Sequence, residues 1–116
     1  EILRLTVEAI ETDSETVTRR IEPLEEVVDY IVAKVKKNHV KRLQQGICTV
    51  DLGYVLSDVL NNFERISDHC SNIALSILEA EIGENFDSHE YISNLRSADS
   101  PEFKKRYAEY KEKYSI

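Results

Sequence analysis

The stretch LGYVLSDVLNNFERISDHCSNIALSIL, Leu52 to Leu78, decides the fold. Its apolar residues, from Leu52, Val55, Leu56, Val59 and Leu60 through Phe63, Ile66 and Cys70 to Ile73, Ala74, Ile77 and Leu78, recur at three- and four-residue steps. Turned by about 100° per residue, they fill an arc of about 140°, the mark of an amphipathic helix. Thr49 stands where an N-cap is needed, and Asp51 complements the positive end of the helix. Gly83 ends it.

The same period extends upstream. Val17, Ile21, Leu24, Val27, Val28, Ile31, Val32 and Val35 define a second helix, continued by Val40 and Leu43 and closed by a left-handed Gly46. Ser14 can cap it. Pro23 lies within this run and either bends the helix or marks its true start. Ile2, Leu3, Leu5, Val7 and Ile10 read as the tail of a first helix that closes near ETDSE, Glu11 to Glu15. Downstream, GENFDS reads as a loop, Ser88 as the cap of a short helix through Leu95, and Ser100-Pro101 as the opening of a final helix to about Tyr114. The expected fold is all-α: an up-down-up three-helix bundle over residues 1–84, with two short helices over 85–116 packed on or beside it.

Composition bounds the function. With 116 residues the chain forms one domain, and three glycines and two prolines are too few for a strand-and-turn architecture. A net charge of −7 argues against nucleic acid, whose phosphates require a basic face. Cys48 and Cys70 are the only cysteines, and two buried thiols are expected rather than a disulfide. No apolar run approaches the roughly 20 residues that a bilayer span requires. The chain opens on EILRLTVEAI without an initiator methionine, as if cut from a longer protein, so membrane attachment upstream stays open.

The residues with chemistry are carboxylates. Ser57, Asn61, Glu64, Asp68, Ser71 and Asn72 line one edge of the long apolar stripe. Glu64 and Asp68 stand four residues apart, with no lysine near them in sequence. Glu22, Glu25 and Asp29 line a flank of the second helix, where Glu25 and Asp29 repeat that spacing. Two readings stay open, a solvated acidic face or a cation site. If the helices run antiparallel side by side, the carboxylates converge and repel unless protons or a cation intervene. All-oxygen donors then suit magnesium, calcium, manganese or iron. His69 turns away from the acidic row, and His39 falls in the apolar arc as a partly buried structural residue. Phe103, Tyr107, Tyr110 and Tyr114 form an aromatic stripe among lysines, expected to pack on the bundle. Catalytic motifs are missing: HEYIS lacks the second histidine of a zinc protease, and no Glu-x-x-His pair occurs.

Several segments in order, RIEPLEEVVDYI, HVKRLQQGICT, LSDVLNNFERISDHCSNIA and EFKKRYAEYKEKY, resemble PhoU-type domains, and ERISDHCSNIA resembles their E/D-x-x-x-D signature. The likeness runs from about Val17 to Tyr114 and is closest to the cytoplasmic PhoU-like tail of bacterial sodium/phosphate cotransporter family proteins. It implies a non-catalytic regulatory domain on the cytoplasmic face of the cell membrane. The membrane portion of the same polypeptide would be its partner and would itself handle sodium and inorganic phosphate. A stand-alone PhoU-type adaptor is the alternative. By the same resemblance Glu64 and Asp68 match the main motif and Glu22, Glu25 and Asp29 the acidic positions of the second helix, as ligands for a divalent or iron-type metal ion. A homodimer is compatible with this reading.

Overall fold

The computed structural model describes residues 1–83, 86–96 and 100–116. Among them the chain forms α1 (Ile2–Thr12), α2 (Glu15–Thr18), α3 (Ile21–Gln44), α4 (Val50–Ile82), α5 (Ser88–Arg96) and α6 (Pro101–Lys113), and no strand. The all-helical expectation holds. Of the expected loop Gly83 to Ser88, Glu84 and Asn85 lie outside the described residues, as does the 84/85 boundary between bundle and extension.

Local chemistry explains the helix ends. Thr49 Oγ1 accepts the Leu52 amide at 3.3 Å, and Ser100 Oγ accepts that of Phe103 at 3.3 Å, with Pro101 behind it in the first turn. Gly46 and Gly83 adopt positive φ, 70° and 86°, after the ends of α3 and α4. Two expectations need correction. Ser14 caps only the single turn α2, and the chain re-enters helix at Ile21 after Arg19 and Arg20. Pro23 is therefore the third residue of α3, where an amide would have no intrahelical acceptor, so it marks the start and bends nothing. The cap of α5 is Asp87 rather than Ser88, because its Oδ1 reaches the amides of both His89 (2.9 Å) and Glu90 (3.3 Å).

The long helices α3 and α4 form an antiparallel hairpin, α1 lies against α4, and α6 lies against α3. Leu5, Ala9, Ile21, Leu24, Val27, Cys70, Ala74 and Tyr110 make the core cluster, with Ile31, Ile77 and Tyr107 packed against it. Of the four aromatic residues on α6 and its end, Phe103 and Tyr110 are buried and Tyr107 and Tyr114 partly so, which agrees with the expected stripe against the bundle. The hairpin outruns its neighbours. Within α3, His39 is the only buried residue beyond Val32, and within α4 none is buried before Leu60. Consequently the 140° stripe of α4 is only half used: Leu52, Val55, Val59, Phe63, Ile66 and Ile73 are exposed. The longest dimension of the molecule is 53 Å, about the length of a helix as long as α4 at 1.5 Å per residue.

Cys48 and Cys70 are both free, with Cys70 in the core and Cys48 half-exposed, not buried as expected.

Leu78→Ala, at a side chain 1% exposed, is expected to cost about 2–4 kcal/mol by transfer and cavity formation together, read from urea unfolding. A second expectation concerns α5. Tyr91 lies against Phe86 at 5.5 Å between ring centroids, under the Arg19 guanidinium, and burial raises its phenol above the usual 10.0. A group whose folded pKa is raised contributes stability below the unfolded value and loses it as pH climbs through the folded one. Unfolding free energy should therefore fall above pH about 10, and Tyr91→Phe should lessen that fall in urea titrations at neutral and alkaline pH.

Candidate metal centre on the helical hairpin

Antiparallel packing of α3 and α4 brings the two acidic flanks together in descending register. Nearest the start of α3, Glu22 is 3% exposed and accepts a hydrogen bond from the Ser71 hydroxyl at 2.6 Å. One turn on, Glu25 (5% exposed) and the half-buried Asp29 meet the exposed Asp68 of α4. One carboxylate oxygen from each of these three lies within 4.8 Å of the other two. Further along, Lys36 reaches Glu64 at 3.3 Å and Asn61 at 3.4 Å.

Thus the five sequence-designated carboxylates separate into three groups. Asp68, Glu25 and Asp29 converge. Glu64 is not among them and instead stands 3.3 Å from the ammonium of Lys36, which corrects the expectation that no lysine offsets it. Glu22 is engaged by Ser71 a turn away. Sequence reasoning missed Lys36, although a signal was there. Lys36 stands seven residues, two turns, after Asp29 and therefore on the same flank of the helix. The pair is partly exposed on both sides, so its contribution to stability is about 0–1 kcal/mol. His69 is exposed.

The three converging groups are all hard oxygen donors, graded from buried Glu25 to exposed Asp68. Oxygens on opposite sides of a calcium-sized ion stand about 4.6–5.2 Å apart, and those around magnesium or manganese somewhat less. A spread of at most 4.8 Å fits one such cation, with water completing the shell from the solvent side. Three acidic side chains around one point are suited to a cation rather than to an anion such as phosphate.

Among known proteins, residues 1–77 match the PhoU domain. That span includes α1 to α3, most of α4 and all five carboxylates; α5 and α6 fall beyond it. The phosphate-specific transport system accessory protein PhoU homolog 1 of Thermotoga maritima is 26% identical over 66 residues. Those residues are 57% of this chain and 28% of that protein, so the chain spans little more than a quarter of the relative's length. No solved structure matches. The matched span of 77 residues in a chain of 116, carrying the helical hairpin and its paired acidic flanks, means that the chain belongs to the PhoU domain family.

Proposed function

We propose that this protein is a non-catalytic regulator of phosphate uptake, the cytoplasmic PhoU-like domain of a sodium-dependent phosphate transporter. A divalent or iron-type cation held by Glu25, Asp29 and Asp68 would tie α3 to α4. The observation that carries the cation half of this reading is the convergence of those three carboxylates from two helices. The regulatory half is supported by family membership and by the relative's description as an accessory protein of phosphate transport. Among the described residues no helix is long and apolar enough to cross a membrane. Sodium and phosphate translocation would therefore fall to a membrane portion of the same polypeptide. The second reading is a stand-alone adaptor that meets a transporter from solution, and it draws on the relative's description as an accessory protein.

The ion would act as a removable cross-link. With it, the register of α3 on α4 is fixed by a link shared between the two helices; without it, that link is lost. A cation present at 100 times its dissociation constant stabilises the folded state by about 2.7 kcal/mol. Protein freed of metal should accordingly melt several degrees higher when manganese, calcium or ferrous ion is restored under anaerobic conditions. Asp68→Asn and Asp29→Asn should abolish that rise, while Glu64→Gln, outside the group, should keep it. A melting temperature that no divalent ion moves would exclude the cation site. The regulatory reading is tested separately by phosphate uptake in cells of the source organism. Deleting the segment that encodes this domain should change the response of uptake to external phosphate, and an unchanged response would refute it.

A further inference from the structure

At the far end of the hairpin, well away from the carboxylates, a thiol and an imidazole meet. Cys48 lies in the turn between α3 and α4, one residue ahead of Thr49, the N-cap of α4. Its Sγ is 3.5 Å from Nδ1 of His39. His39 is 9% exposed, and its Nε2 is buried with no hydrogen-bond partner among the described residues. The ring occupies space that only a glycine leaves: a Cβ at position 53 would stand 2.5 Å from Nε2. Around it Val40, Leu43, Val50 and Leu60 line a cleft of about 360 Å³ that Lys36, Tyr54 and Ser57 also border. Packing alone does not account for this imidazole, since a buried nitrogen without a partner carries a cost that an apolar side chain would avoid. What the ring does gain is contact with a half-exposed sulfur at the positive end of a 33-residue helix. The geometry places the imidazole to take the thiol's proton, and the sulfur is also 3.8 Å from the carbonyl of Thr49.

We propose that Cys48 is a modification site, a thiol that exchanges with small-molecule disulfides, with His39 as the base that takes its proton. With its own proton on Nε2, the imidazole receives the thiol proton at Nδ1. The Cys48 sulfur attacks one sulfur of a disulfide RS–SR, a new Cys48–SR bond forms, and the RS–SR bond breaks. The departing RS⁻ takes the proton from His39 and leaves as RSH. Cys48 is oxidised, and the leaving half of the disulfide is reduced. The adduct would sit against His39 at the turn that joins the two long helices, where added bulk bears on how the hairpin tip closes. Cys70, 2% exposed within the core, is the built-in control.

The test uses the full chain with cystamine as the disulfide, followed by intact mass and peptide mapping. One adduct per chain is expected, on Cys48, with Cys70 unmodified and Cys48→Ser inert. His39→Gln should slow the reaction about tenfold at neutral pH. Cys48 of the native chain should also react faster than Cys48 of the urea-unfolded chain, a comparison that needs no variant. Equal rates in native and unfolded chains, an adduct on Cys70 first, or a folded His39→Gln protein as fast as the wild type would each overturn the proposal.

Discussion

Burying acid is the constraint that organises this molecule. Glu22 and Glu25 are 3% and 5% exposed on the inner flank of α3, and a carboxylate withdrawn from water must be answered by hydrogen bonds, an opposite charge, a proton or a metal. The flank of α4 supplies different answers at different heights. Ser71 offers a hydroxyl to Glu22, while Asp68 adds a further negative group beside Glu25 and Asp29. Higher up, the polarity reverses, and Lys36 of α3 faces Glu64 and Asn61 of α4. A slip of one turn toward the end of α4 would carry Lys36 from Glu64 to Asp68, move Glu25 and Asp29 off Asp68, and set Glu22 opposite Leu75 instead of Ser71. These polar pairings thus specify the register that the apolar contacts, being non-directional, leave loose.

Much of the architecture was legible because it is written in local terms. The period of Leu52 to Leu78, the caps at Thr49 and Ser100, and the glycines at 46 and 83 each depend on atoms within a turn or so of one another, and each stands where the sequence places it. The ambiguities were local competitions between near-equivalent residues. Asp87 and Ser88 can both cap a helix, and Asp87 alone reaches the second and third amides. Pro23 suits a first turn as well as a kink, and only the break at Arg19 and Arg20 decides which.

The candidate site was legible as an inventory but not as a constellation. That Glu25, Asp29 and Asp68 belong on facing flanks follows from helical geometry; that Glu64 leaves the group depends on the stagger of α3 against α4, which no spacing within one helix reveals. The α4 stripe shows the same limit. Its 12 designated apolar positions read as one face, yet core packing selects Cys70, Ala74 and Leu78 opposite α1 and the first half of α3, together with Leu60 beside His39. Pattern reports what a helix could bury, and the reach of its neighbours determines what it does bury.

That unequal reach makes the molecule softer at one end than at the other. Where α1, α3, α4 and α6 overlap, backbone amides are shielded by core side chains, so exchanging them with deuterium requires something close to complete unfolding. Between Val50 and Val59, and along α3 past Val32 except at His39, no core surrounds the backbone, and opening there exposes little that was not already wet. Deuterium uptake should therefore grade along the hairpin from slow to fast. The tip around Cys48 is the region that yields first, so a chemical change at that turn could be accommodated without dismantling the rest of the domain.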